Sequence, residues 1–426
     1  MRPLPLLAYG LAARLLGPLV FARVARRLAA QGVAAARIAE RRGVAGLPRP
    51  AGRLIWFHAA SVGESLSILP VVARLAGPGL TCLVTTGTAT SAQILPPRLP
   101  AHALHQFAPL DSAPYVARFL RHWRPDLAVC VESEIWPETL RLLDRQGTPR
   151  VLLNARLSDR SLARWGKRPA SARALFGGFA AIIAQSPALR DALAAMGCTP
   201  ARLSVGGNMK AAAGAPPADA AALAGLNAAS AGRPVWAAVS THAGEEAAAL
   251  AAHRQVLAGQ ADALLILCPR HPDRAPDLMA LIAATGLTVT RRSLAQGPVA
   301  QVFLADTMGE TGLWFRLAPV VFLGGSLVDK GGHNPWEVAA CGAALLTGRY
   351  LSNVAQDMET LTQSGAARII PDAAALGPAV AGLLADPAAA QAMGRAGRAT
   401  IRAVASRLDQ IEADFRHLLP GPGRNT

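Results

Sequence analysis

The sequence predicts an α/β protein built as two doubly wound parallel-sheet domains, and three observations carry that expectation. The chain has 426 residues, beyond the ~250–300 at which a single core stops growing. From residue 53 onward, short apolar runs alternate with amphipathic stretches, the pattern of successive βαβ units. Over Ala211–Arg233, full of Ala, Gly and Pro and poor in large apolar side chains, the alternation stops, and beyond it restarts. Hydrophobic residues make up 52% of the chain, which excludes disorder. Its 39 Gly and 32 Pro follow no collagen-like period.

The first segment, residues 1–50, is expected to hold a membrane-anchor or interfacial helix and a basic stretch. Leu4–Phe21 is the most apolar run near a terminus, but at 18 residues it barely reaches spanning length and it contains Pro5, Arg14 and Pro18. Residues 1–53 hold ten arginines against one acid, Glu40. A signal peptide fits this interrupted run poorly. The preferred reading is a helix that lies in, or barely crosses, the bilayer, with its arginines on anionic headgroups at the cytoplasmic side. Nothing in the segment is expected to complete either core, since the sheets start after residue 53.

In the first half the expected strands are Leu54–His58, Thr81–Thr86, Leu127–Glu132, Arg150–Asn154 and Ile182–Gln185. In the second half they are Val235–Ser240, Ala263–Cys268, Leu287–Thr290, Val299–Ala305, Val320–Gly324 and Ala344–Leu346. The expected division is 51–212, a linker over 213–233, 234–400, and a C-terminal helix and tail over 401–426. Two such domains joined by a hinge would face each other across a cleft, with function in the loops that follow strands.

Charge narrows the partners. Lys+Arg number 43 against 27 Asp+Glu, a net of +16, which suits nucleic acid, phosphorylated metabolites or anionic lipid. Only Lys167, Lys210 and Lys330 are lysines, so the basicity is almost all arginine. The five cysteines are scattered, with no CxxC, and read as small buried apolar residues in a reducing compartment rather than as metal ligands.

Chemistry-bearing residues fall at strand ends. Glu64 opens the helix after the first strand; it is either a general base favoured by the helix dipole or the third residue of a capping box begun by Ser61. The same stretch, Ala59-Ala-Ser-Val-Gly63, is one residue short of a nucleophile elbow, which leaves a serine hydrolase with Ser61 as nucleophile as an alternative. Glu132 and Glu134 follow a buried strand, where carboxylates are costly without partners. Asn154–Arg160 is polar at another strand end, and Lys210 stands beside two glycines before the linker. In the second half, Arg270 after a strand could grip a phosphate. Met308–Gly309–Glu310 opens a helix, and the glycines of 324–332 allow close backbone approach. Glu337 could accept ribose hydroxyls. Together these point to a nucleotide pocket, although neither the P-loop pattern nor G-x-G-x-x-G is present.

In chain order, HAASVGE (58–64), ESEIWP (132–137), NARLSDRS (154–161), STHAGEE (240–246), CPRHPDR (268–274), DTMGE (306–310) and GGSLVDKGGHNPWE (324–337) resemble the motifs of the Kdo (3-deoxy-D-manno-octulosonic acid) transferases. Ile135 and Trp336 stand where that family commonly has Leu. The resemblance implies a GT-B glycosyltransferase fold of two Rossmann-like domains, acceptor-binding first and CMP-sugar-binding second. It implies Glu64 as proton acceptor and Glu132 and Lys210 as transition-state support. Pro269, Arg270, Met308, Gly309, Glu310, Asn334, Pro335, Trp336 and Glu337 fall on CMP contacts. It further implies an inverting transfer of Kdo from CMP-Kdo to a lipid A precursor in lipopolysaccharide synthesis. Site and setting would be the cytoplasmic face of a bacterial inner membrane, with anionic lipid as partner, no nucleic acid, no metal and no cofactor. A non-catalytic lipid or nucleotide-sugar binding protein would keep the pocket without needing Glu64.

Overall fold

A computed structural model describes residues 2–421. The chain divides into two compact units, one running to Ala213 and resumed from Val404, the other Gly214–Ala403. Each holds one seven-stranded sheet in which every pairing is parallel.

In the first unit the strands are β1 (Arg53–His58), β2 (Leu80–Thr86), β3 (Ala103–Phe107), β4 (Leu127–Val131), β5 (Arg150–Ala155), β6 (Ala181–Ala184) and β7 (Leu203–Val205). Their spatial order is β3-β2-β1-β4-β5-β6-β7. The chain lays β1 to β3 in one direction, returns, and lays β4 to β7 in the other. In the second unit they are β8 (Val235–Thr241), β9 (Leu264–Pro269), β10 (Val289–Arg291), β11 (Val302–Leu304), β12 (Val320–Leu323), β13 (Ala344–Thr347) and β14 (Ala367–Ile369), in the order β10-β11-β9-β8-β12-β13-β14. The direction reverses between β1 and β4 and again between β8 and β12. At such switch points the connections leave on opposite faces and a crevice opens at the carboxyl ends of the strands.

Three strands lie outside the sequence expectation, β3, β7 and β14, and all three are sheet edges. Central strands are buried on both faces and read as apolar runs. At the edges, β3 carries His105 and Gln106, while β7 and β14 have three residues each, so no apolar run marks them. The stretch 213–233 is not a bare linker, because Ala220–Ala229 forms a helix capped by the Asp219 side chain. The C-terminal helix Arg407–Leu418 belongs to the first unit: Leu408, Ile411, Phe415 and Leu419 enter the core formed by β1, β2 and the helix Val62–Leu75. Phe415 is fully buried, its ring 6.3 Å from that of Phe57. All five cysteines are free and buried, and burial pushes the Cys82, Cys130 and Cys268 thiols up to about 12.

The N-terminal helix Leu4–Ala30 is part of the first unit's body, contrary to the expectation that nothing in it completes a core. Leu6 packs in the cluster around Leu140 and Leu152, and Leu28 packs with Phe107. Arg2 pairs with the buried Glu138 at 2.6 Å, and the Tyr9 hydroxyl donates to Asp111 at 2.9 Å. Phe21 meets Tyr115 edge-on while the Arg42 guanidinium sits over its other side. The apolarity misled because it serves two surfaces. One face seals the unit; the other leaves Leu4, Leu11, Leu15 and Leu19 between 61% and 80% exposed.

Phe415→Ala should remove about 3–5 kcal/mol of stability, the usual worth of a fully buried phenylalanine, in a urea titration followed by circular dichroism. A loss below about 1 kcal/mol would mean that the C-terminal helix is not a core element of the first unit.

Candidate active site

The first unit gathers its polar residues at the β1/β4 switch point. β1 ends at His58, and two residues on the chain turns into the helix Val62–Leu75, with Ser61 as its N-cap. The Glu64 carboxylate folds back over this turn. It accepts from the Ala60 N–H at 2.8 Å and from the Ser61 hydroxyl at 2.8 Å, while the Glu64 N–H donates to Ser61 Oγ at 3.3 Å. The capping geometry is therefore real, and it also fixes the carboxylate at the strand end. Glu64 is half-buried. Burial holds its carboxyl above the usual carboxylate range; the Ser61 bond opposes that, and the nearby Glu134 and Glu132 charges add to it. Such a carboxyl is a better proton acceptor than an ordinary surface glutamate.

The same geometry answers the nucleophile alternative. The Ser61 hydroxyl is spent on Glu64. The His58 ring is committed to Thr85 through Nδ1, at 3.1 Å, and to Glu134 through Nε2, at 3.2 Å. His58, the histidine nearest Ser61 in the sequence, is thus already engaged.

Beside Glu64, Glu132 follows the last residue of β4 and is 8% exposed. Its φ of +54° and that of Asn154, +57°, are left-handed, a strained conformation for a residue with a side chain. Asn154 sits at a register shift between β5 and β6, where the extra residue re-aims the chain. Its amide donates to Glu132 Oε1 at 3.3 Å and its oxygen accepts from the Met209 N–H at 3.0 Å. That second bond holds the segment carrying Lys210, whose ammonium lies 3.4 Å from Glu132 Oε1. The Lys210 stem passes beside Gly63, where an added Cβ would stand 4.0 Å from Cε. Glu64, Glu132 and Lys210, far apart in sequence, thus converge on one strand end.

The residues expected to contact CMP lie at the ends of β9, β11 and β12 of the second unit and in the segments that follow them. Pro269 ends β9, and exposed Arg270 follows, its backbone N–H bonded to Thr241 O at 2.9 Å. Met308 is 71% exposed and Gly309 adopts φ +82°. Glu310 is forked by Arg292 at 3.0 and 2.6 Å, which holds its carboxyl below the usual range; its side chain is not free to take a ligand hydroxyl. Asn334 donates to Glu337 at 3.1 Å, while burial raises the Glu337 carboxyl. Trp336 is 2% exposed, so its indole packs inward, and Pro335 precedes it as the helix cap.

The sequence marks Glu134 only as a carboxylate that needs a partner, and gives no role to His58 or His242, which the structure makes prominent. His58 and Glu134 form the pair just described. His242 follows β8 as His58 ends β1, in HAGEE against HAASVGE, and this internal parallel was the available signal. Ser240, at the register shift of β8, repeats the left-handed φ of Asn154 at +57°. Both units therefore bend a central strand at its carboxyl end with the same device.

Comparison with known proteins places these motifs. The family described as 3-deoxy-D-manno-octulosonic-acid transferase (kdotransferase) matches residues 36–213. A 3-deoxy-D-manno-octulosonic acid transferase of Haemophilus influenzae is 34% identical over 370 residues, covering 85% of this chain and 86% of that protein. One from Bordetella pertussis is 34% identical over 411 residues, covering 92% and 94%. Among solved structures, a glycosyltransferase from Rickettsia africae superposes with a TM-score of 0.57 at 13% identity, covering 88% of this chain and all of that one; it shares the fold.

Proposed function

The chain belongs to the 3-deoxy-D-manno-octulosonic acid (Kdo) transferases and is a glycosyltransferase of GT-B fold, and from that premise we propose that it moves Kdo from CMP-Kdo to a phosphorylated lipid A precursor, with Glu64 as general base. The observation that carries this is the Glu64 carboxylate, held at the β1/β4 switch point beside the Glu132–Lys210 pair and kept basic by burial.

The chemistry asks little else of the protein. Glu64 takes the proton of an acceptor hydroxyl as that oxygen bonds the anomeric carbon. The bond from that carbon to the phosphate oxygen breaks, and CMP leaves with the electron pair. Attack opposite the leaving group inverts the anomeric centre. Lys210, steadied by Glu132, offers positive charge where the transition state gathers negative charge. Arg270 and Glu337 are the expected contacts to the CMP phosphate and ribose, and Pro269, Met308, Gly309, Glu310, Asn334, Pro335 and Trp336 frame them. For Glu310 and Trp336 that contact falls to the backbone, since their side chains are already engaged or buried.

The setting follows from the first helix. Its exposed leucines, flanked by exposed Arg14, Arg23, Arg26 and Arg27, suit a helix lying in the headgroup region of an anionic bilayer. By length and hydropathy it could also cross one. The contacts of Arg2 and Tyr9 with the body favour lying over crossing, since a spanning helix would give them up. A place on the cytoplasmic face of a bacterial inner membrane matches this surface and the phosphorylated acceptor.

The direct test is CMP release from CMP-Kdo with a defined lipid A precursor, the product identified by mass and anomeric configuration. Glu64→Gln should lower kcat by about 10²–10⁴. Its stability should hold or rise slightly, because a carboxyl kept above its usual pKa is a small liability at neutral pH. Loss of fold instead of rate would reduce Glu64 to a helix cap.

Because the base must be ionised, kcat should fall as pH drops through a value above the ordinary 4.5 of glutamate. Glu134→Gln removes a charge that raises Glu64 and should move this acid limb to lower pH. An unmoved limb would assign it to another group.

Arg270→Ala and Glu337→Ala should each weaken CMP binding by roughly ten- to a hundredfold in calorimetry, the worth of one charge-assisted contact; unchanged affinity in both removes these loops from the donor site.

The full chain should bind phosphatidylglycerol vesicles, less so at high salt as the arginines are screened. Residual binding at high salt should vanish in the double variant Leu11→Glu/Leu15→Glu. Binding that survives this variant would clear the exposed leucine face of any part in docking.

A further inference from the structure

The second unit carries, at its own switch point, a cluster that the reading above leaves unused. His242 follows β8 and His333 lies on the loop after β12, the two strands between which the sheet reverses direction. Their rings are near parallel, 9° between planes, with Nε2 to Nε2 at 2.9 Å. His271 stands edge-on to His242, its centroid 5.8 Å away. Both rings of the close pair are only half-buried.

The chain goes to some length to build this contact. Glu245, fully buried, accepts four backbone N–H groups, from His242, Gly325, Ser326 and Leu327, at 2.7 to 2.9 Å. One carboxylate thus ties the turn after β8 to the loop after β12. The Gly332 N–H closes that loop onto Gly325 O at 2.8 Å, immediately before His333. Gly325 adopts φ +70°, and a Cβ there would stand 3.0 Å from the His333 ring, so a glycine is needed where the pair forms.

Two ring nitrogens at this distance share one proton: one donates, the other accepts through its lone pair. The donating ring can take a further proton on its Nδ1 without disturbing the contact. A second added proton would set two N–H groups head to head. The pair therefore has a capacity of one. The charged and titratable groups that face it are Arg270, Lys330 and His271, with the carboxylate of Glu245, whose oxygens are already filled by N–H donors. Among the described residues, neither Arg270 nor Lys330 has a carboxylate partner. Nor do any three His, Cys, Asp or Glu side chains there group to hold a metal. A strand-end crevice with unpaired cations and a proton-accepting pair is a site for an anion.

We propose that His242 and His333 act as one proton-holding unit that binds the phosphate of the cytidine nucleotide, together with Arg270 and Lys330, and takes up a single proton as the phosphate docks. This rests on the CMP-Kdo reading above and adds to it a residue pair and a coupling. Burial and the neighbouring cations hold both rings below the usual histidine range, His333 down to about 4; an arriving phosphate adds the missing counter-charge and draws a proton in. During transfer the phosphate passes from a singly charged diester to a monoester with one more negative charge, and the protonated pair offsets that charge without giving up its proton.

The test is calorimetry of CMP with the full chain at pH 7.5 in MOPS and in Tris, whose ionisation enthalpies differ, on the wild type and on H242N and H333N. The wild type should take up more protons than either variant, by about half to one per CMP bound; any proton exchanged by CMP itself cancels in that difference. Each variant should bind CMP about tenfold more weakly, and wild-type affinity should strengthen as pH falls from 8 to 6. Both variants should keep the wild-type melting temperature, since neither ring is core. If the wild type binds CMP but all three proteins exchange equal numbers of protons, with affinities within twofold, the histidine pair is not part of the phosphate site. If the wild type does not bind CMP at all, the donor reading itself falls and takes this proposal with it.

Discussion

The constraint on which the rest depends is the reversal of strand order in each parallel sheet. Parallel strands need helical crossovers, and those crossovers carry the chain away from the carboxyl end of every strand. Where successive crossovers go the same way, the strand end is covered. Between β1 and β4, and between β8 and β12, they part, and only there does the end of a central strand stand open. Glu64, Glu132 and Glu134 collect at the first of these places, and Glu245, His242 and His333 at the second. The left-handed Glu132, Asn154 and Ser240, two of them at register shifts, mark where the backbone bends to present side chains rather than to continue the ladder.

At each open end one carboxylate organises the turn, and the two differ instructively. Glu245 is fully buried and has every oxygen lone pair filled by backbone N–H groups. It is a fastener, its two oxygens each holding two backbone N–H groups. Glu64 occupies the equivalent turn of the first unit, accepts only one backbone N–H and one hydroxyl, and remains half-exposed among other carboxylates. The capping geometry is thus compatible with the proposed role of Glu64 as base. The cap holds the carboxylate still, and the incomplete set of donors leaves it basic.

The interior strands of both sheets were legible, and of the four edges only β10 was. Eleven strands betray themselves as apolar runs, and the three missed, β3, β7 and β14, are edges whose residues are too few or too polar to do so. The same physics hid the role of the first helix. Its leucines read as lipid-facing, yet Leu6 and Leu28 are core, because composition cannot say which face of a helix a protein covers. The helix Ala220–Ala229 was read as linker because alanine supports a helix without an apolar stripe to announce it. Candidate site residues could be singled out, since a charged side chain directly after a buried run is conspicuous. Pairings were the hidden part: Glu310 with Arg292, His58 with Glu134 and His242 with His333 join residues 18, 76 and 91 positions apart, and no local pattern carries such distances.

The two strand-end clusters have opposite electrical character, and glycosyl transfer needs both. Transfer to a hydroxyl leaves a proton to be removed at one reactant and a negative charge to be absorbed at the other. A single cluster cannot do both well: carboxylates that keep a base strong repel a phosphate, and cations that hold a phosphate would weaken the base. The first unit sets Glu64 among Glu132 and Glu134, with the Lys210 ammonium beside Glu132 and the Arg41 guanidinium near Glu134. The second sets its histidines among Arg270 and Lys330, with its one close carboxylate already filled. Building each cluster on its own sheet lets each pKa be set by its own neighbours. With Glu64 as the proposed base and the second cluster as the proposed phosphate site, the repeated fold would serve a chemical separation: one switch point negative enough to take a proton, the other positive enough to accept a leaving anion.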